Sequence, residues 1–387
     1  MMREIYGRAV TGVLSALAVL CVGAGGAPAA EPIKIGSFLA VTGGASFLGD
    51  PEKKTLEMYV ARINEAGGVA GRPIELTLYD SGTDAKKAAS FVKRLIEDDK
   101  VDIILGGTTT GETMAVVPLV ERAGIPFISF AGAGVIVEPV KKWVFKTPHT
   151  DGLAVRKIYE DIRANGHSKV ALFAGSGGFD KSCRKNAHEL AGKYQIEIVA
   201  DETHGKGDTD MTPQLTKIKN TDGVQAFLYC GFGADAVVAA KNYRQLGLAL
   251  PHYQSHGSAS KRFVAGTGEA SEGMRLPAAA LLVAKQLPDS HPQKKLALQF
   301  EADYEAKYNE PISTFGGHAY DGLMIAIGAI ERAGSTDPEK VRAEIEKTTN
   351  YIGVDGIYNM SPEDHLGLDT NSFVMVEIRD GDWQLIE

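Results

Sequence analysis

The feature that most constrains this chain is a rhythm that occurs twice. "IKIGSFL", "IELTLYD", "VDIILGG" and "IPFISFA" are short apolar, β-rich runs, and helical stretches beginning near Pro51, Ala85 and Glu112 lie between them. Such alternation predicts right-handed βαβ units and a parallel sheet. A second series, "KVALFAG", "IEIVADE", "VQAFLYCG" and "LPHYQSH", is separated by helical runs such as Lys181–Lys193 and Ala234–Leu246. The expected fold class is therefore α/β, with two doubly wound parallel-sheet lobes in one chain. From Gln293 onward helices dominate, notably "GGHAYDGLMIAIGAIERAG" with Gly334 as its stop, and "SFVMVEIRDGDWQLIE" reads as a hairpin turning at Asp380-Gly381. If that hairpin joins the second lobe, the chain crosses between lobes several times, which predicts a multi-crossover hinge of restricted motion.

Residues 1–30 differ from the rest. Arg3 and Arg8 precede the apolar run "AVTGVLSALAVLCVGAGG", and "APAA" offers a small-residue cleavage site before Glu31, so this segment reads as a signal peptide and the mature protein is expected in the periplasm. A lipoprotein would need a small residue before Cys21, where Leu20 stands. The formal net charge of −8, one more negative without the leader, argues against nucleic acid and anionic membranes as partners. Cys183 and Cys230 remain after cleavage; sequence leaves their separation open, and free buried thiols are the expectation over a disulfide.

Chemistry is expected at the strand ends. In "ILGGTTTGET", Gly106, Gly111 and Thr113 fall almost as in a phosphate-binding loop, but Glu112 occupies the lysine position and would repel phosphates. What remains is a Gly-rich strand end opening a helix whose amides and positive end suit a small anion such as a carboxylate. Plain helix capping by the threonines is the alternative. "AGSGG" around Ser176 misses the hydrolase nucleophile elbow because Ala174 stands at its first glycine. His252 and His256 lack the cysteine or nearby carboxylate that would complete a metal set, so no metal and no cofactor are expected.

"INEAGGVAGRPIELTLYDSGTDAKKAASFVKRLI", "VDIILGGTTTGETMAVVPLVERAGIPFIS" and "AYDGLMIAIGAIERAG" resemble the periplasmic binding proteins of branched-chain-amino-acid-type ABC importers over nearly the whole mature chain. The resemblance implies a type I periplasmic binding protein, not an enzyme. Its cleft would close by hinge motion over a small ligand, and it would act, as a monomer, with an inner-membrane permease. It places lobe 1 at residues 31–148 and 281–355 and lobe 2 at 149–280 and 356–387. It assigns the ligand carboxylate to Thr110 and to backbone groups at Ala131 and Ala133, the last standing where the family usually has a threonine. His256 falls where amino-acid binders keep an acid for the ligand ammonium, and burying an ammonium without its counter-charge is costly. Phe179 and Phe232 stand at positions of ligand-covering tyrosines, with Phe47 and Leu48 as a first-lobe wall. The "SHG" stretch and "NMSPEDHLGLD" resemble in particular the aromatic-acid-binding members. The expected ligand is thus a small aromatic carboxylate, benzoate-like, aryl-2-oxo or phenylpropenoid. An aliphatic amino-acid binder, or a sensing module for a membrane receptor, is the alternative.

Overall fold

The computed structural model describes residues 31–386, and the expected signal peptide lies outside the described residues. The first lobe opens β1 (Ile33–Leu39), α1 (Ser46–Glu65), β2 (Ile74–Asp80), α2 (Ala85–Glu97), β3 (Ile103–Gly106), α3 (Thr110–Ala123), β4 (Phe127–Ser129) and β5 (Val144–Lys146), giving a parallel sheet ordered β2-β1-β3-β4-β5. The second continues α4 (Asp151–Ala164), β6 (Lys169–Ala174), α5 (Gly178–Ala191), β7 (Glu197–Thr203), α6 (Thr212–Lys219), β8 (Ala226–Cys230), α7 (Gly233–Gln245), β9 (His252–Gln254), α8 (Lys261–Thr267) and β10 (Arg275–Ala279). The chain then forms α9 (Lys294–Tyr308), α10 (Thr314–Ala333), α11 (Pro338–Ile345), the two-stranded β11 (Tyr351–Ile352) and β12 (Ile357–Tyr358), and the hairpin β13 (Phe373–Arg379) and β14 (Asp382–Leu385).

That hairpin completes the second sheet, ordered β14-β13-β10-β9-β8-β6-β7, and pairs antiparallel with β10, so this sheet has an antiparallel edge. Its turn is at Asp380-Gly381, both at positive φ. Local chemistry explains the helices. Asp84 caps α2 by accepting from the Lys86 and Lys87 amides, and Ala88, Val92 and Leu95 form its buried stripe. Helix α10 starts at the Ser313 cap, ends on left-handed Gly334, and is buried over most of its circumference between α1 and the first sheet.

The second sheet is covered on both faces, and its strands show the period of two. Phe173, Phe227 and Tyr229 enter one core; Leu172, Leu228 and Cys230 enter the other. Two expectations are corrected here. Cys183, on the inner face of α5, meets Cys230 at the end of β8 with Cα atoms 5.7 Å apart, and they form a disulfide rather than free thiols. Tyr358, Met360, Leu366 and Leu368 pack in the first lobe's core, so the last crossing falls near Thr370 instead of position 356.

Candidate ligand cleft between the lobes

The C-terminal ends of β1, β3, β4, β6, β8 and β9 all feed one region, where open α/β sheets place their sites. The result is a small cavity, about 30 Å3, lined from both lobes, including Leu48, Thr110, Phe130, Gly132, Phe179, Phe232, His256, Phe315 and His318.

The consecutive threonines have separate duties. Thr109 is the N-cap of α3: its hydroxyl accepts from the Glu112 amide at 3.3 Å, while Glu112 Oε2 accepts from the Thr109 amide at 3.1 Å. Glu112 thus closes the cap, and Ser81 donates to its other oxygen. Thr108 donates to Glu52 Oε2 at 2.5 Å and accepts from the Ala40 amide at 3.0 Å. Burial holds the Glu52 carboxyl well above the ordinary carboxylate range, so it carries no charge behind the cavity wall. Thr110 alone of the three keeps a buried hydroxyl without a partner, on the first residue of α3. The first amides of that helix have no acceptor within it.

Across the cleft, the start of α5 abuts the start of α3. A Cβ built on Gly178 would lie 3.5 Å from Thr110 Cγ2 and 3.6 Å from the Gly111 amide nitrogen. Two helix N-termini, one per lobe, therefore converge on one end of the cavity, and both favour an anion there. The other end is aromatic. Phe179 meets Phe232 edge-on at 5.7 Å between ring centroids and His256 at 5.3 Å. A Cβ on Gly132 would lie 3.0 Å from His256 Nε2 and 3.1 Å from Phe179 Cε2, close enough that one side would have to give way.

The histidines here are uncharged. Burial, reinforced by His149, Lys146 and His318, drives His256 well below the ordinary imidazole range, and its Nδ1 is buried without a partner. His318 is pushed down to about 3 by burial and then by Lys146, and its Nδ1 lies 2.5 Å from Asp355 Oδ2. His149 is likewise lowered to about 3 by burial; its Nε2 sits 3.1 Å from the Ser372 carbonyl and its ring stacks on Phe373 at 3.9 Å. Asp355 is fully buried, and burial raises its carboxyl well above the usual range.

The structure thus brings Thr110, Leu48, Phe179, Phe232 and His256 together around the cavity. Ala131 and Ala133 are buried and alternate with Phe130 and Gly132, which are the residues of "SFAGAG" that line the cavity. Phe47 also stands back, supporting Phe232 at 6.3 Å and Phe315 at 5.9 Å instead of lining the wall. Phe315 and His318 were missed from sequence; the "STFGGHAY" stretch reads as helix, and its apolar residues on all sides hide which face meets a cleft.

Comparisons agree with this architecture. The profile of the family described as periplasmic binding protein matches residues 32–382. A leucine-, isoleucine-, valine-, threonine- and alanine-binding protein of Pseudomonas aeruginosa is 25% identical over 329 residues, covering 83% of this chain and 84% of the relative. An extracellular ligand-binding receptor from Rhodopseudomonas palustris HaA2 superposes with a TM-score of 0.86 at 27% identity, over 92% of this chain and 99% of that one. The branched-chain amino acid transporter substrate-binding protein LivJ of Streptococcus pneumoniae, solved with isoleucine, does so at 0.81 and 27% identity, over 91% and 98%. With its fold and its sequence both matching, the chain belongs to the periplasmic binding protein family.

Proposed function

We propose that this protein is the periplasmic solute-binding component of an ABC importer and that it binds a small aromatic carboxylate, handing it to an inner-membrane permease as a monomer and without covalent chemistry. One observation carries the reading: among the described residues, those lining the cavity include no acid, while an unpartnered hydroxyl and two helix N-termini gather at one end and aromatic rings fill the rest. An α-amino acid brings a cation as well as an anion, and a buried ammonium without a counter-charge costs several kcal/mol. An aryl carboxylate brings only the anion, docked at Thr110, with its ring among Phe179, Phe232 and Phe315 and beside the uncharged His256.

The second reading is an aliphatic amino acid, favoured by the names of the Pseudomonas and Streptococcus relatives. Its ammonium would have to be met by backbone carbonyls. A thermal-shift screen of aromatic acids against all amino acids, on protein stripped of carried-over ligand, separates the two, because a ligand that binds only the native state raises its stability. Aryl carboxylates should shift the melting temperature and leucine, isoleucine and valine should not; the reverse pattern replaces the first reading with the second.

A further inference from the structure

The cavity's back wall holds an amine that the lining does not show. Lys146, the last residue of β5, is fully buried where the chain first crosses between lobes. Its Nζ donates to the Gly132 carbonyl at 2.9 Å and to the His149 carbonyl at 3.3 Å. Gly132 lines the cavity, and His149 belongs to the crossing. We propose that Lys146 is the charge partner of a bound anion, acting through one peptide unit: the anion's arrival draws a proton from solvent onto the amine, and the ammonium then clamps the site loop to the hinge.

The surroundings support this. An amine buried without a carboxylate in contact is expensive, and an apolar residue would fill the same space at less cost. Asp151 on α4 and Glu138 on the loop after β4 favour the charged amine; Asp151 Oδ1 accepts from the Gly134 and Gly152 amides at 2.9 and 3.1 Å while its Oδ2 is buried without a hydrogen-bond partner, so the amine feels that carboxylate without being hydrogen-bonded to it. From the other elements the groups facing it are His149 on the crossing, His256 and His318, with Asp355 behind His318; these histidines are neutral and offer no counter-charge. The His365 carbonyl takes only the Lys146 amide. Burial brings the amine down to about 7, so in the free protein it is poised between its two forms. An anion across one peptide in a poorly solvated interior raises an amine's proton affinity by roughly tenfold or more.

The inference rests on the proposed function only in taking the ligand as an anion. In the ligand-free protein, the Lys146 side-chain carbon resonance, identified by its loss in Lys146→Met, should titrate between about pH 6 and 8, and a resonance that does not move there overturns the proposal. Calorimetry of benzoate in buffers of different ionisation enthalpy should show proton uptake that is greatest between about pH 7 and 8, about half a proton for a tenfold rise in proton affinity and more for a larger one, and that falls toward zero by about pH 5, where the amine is already charged. Lys146→Met should abolish the uptake and cut the preference for benzoate over benzamide roughly tenfold or more. A merely structural lysine would weaken both ligands alike with no uptake. If benzoate does not bind and isoleucine does, uptake with isoleucine upholds Lys146 while the aromatic reading falls; binding of either without uptake sinks the Lys146 proposal alone.

Discussion

A hydroxyl group buried without a partner is costly in a finished fold, and Thr110 carries one at the mouth of a helix. Thr109 and Thr108 show what the alternative would be, since each is committed to a protein acceptor. Thr110→Val should therefore leave stability intact and weaken aryl-carboxylate binding by about 1–3 kcal/mol, roughly five- to 150-fold in Kd by calorimetry; unchanged affinity removes Thr110 from the site. His256 is a sharper probe. His256→Glu places a carboxylate in the cavity, with Lys146 near enough to be felt electrostatically and so to help the variant fold. Like charges in a poorly solvated cleft repel with little screening, so aryl-carboxylate affinity should fall by about tenfold or more. Tight binding of an aryl acid by that variant would mean the ligand's anion lies elsewhere.

Elements were legible in proportion to how much of their signal is local. Runs such as "IKIGSFL" and "IELTLYD" carry their own pattern and stand as β1 and β2 with those bounds. Strand β5 spans only Val144–Lys146, and β10 includes Pro277, so their strand character comes from pairing with neighbours rather than from pattern. Lys146 was illegible as a site residue for the same reason: nothing in "WVFKTP" says the lysine turns inward. Which residues of "SFAGAG" face the cavity was equally illegible, because a loop has no fixed period to decide it. The disulfide was hidden because Cys183 and Cys230 lie 47 residues apart and meet only when α5 packs over β8. Closing a loop of that length gives an entropic stabilisation of up to about 4 kcal/mol, and strain or residual structure lowers it. The double substitution Cys183→Ser/Cys230→Ser should thus reduce unfolding free energy by about 2–4 kcal/mol in denaturant titration while ligand affinity stays within about threefold, because both sulfurs sit in the second lobe's core and not on the cavity.

At the scale of the molecule, function depends on how the lobes meet. They touch in this structure through Arg262 and Asp50, 3.1 Å apart, through the Thr314 hydroxyl and the Ala259 carbonyl at 3.3 Å, and through the tight approaches of Gly178 to Thr110 and of Gly132 to His256 and Phe179. The ion pair is largely exposed and contributes little. The glycine contacts are different, because they set how near the walls can come. Several chain crossings limit the motion to a hinge, so a ligand that touches both lobes favours the closed form by its differential affinity. Solution scattering should then show a smaller radius of gyration with saturating aryl carboxylate than without. Gly132→Ala inserts a methyl group 3.0 Å from His256 Nε2 and 3.1 Å from the Phe179 ring, distances at which one side must give way. If closure is what binding requires, that methyl group should cost about 1–3 kcal/mol in affinity, the usual cost of overpacking, and should shrink the ligand-induced compaction in the same samples. The variant's own stability should barely change, because the clash exists only when the lobes meet. A Gly132→Ala protein that binds and compacts like the wild type would show that the ligand is held in a cleft wider than this one, and the Thr110 anion site would then have to work from the first lobe alone.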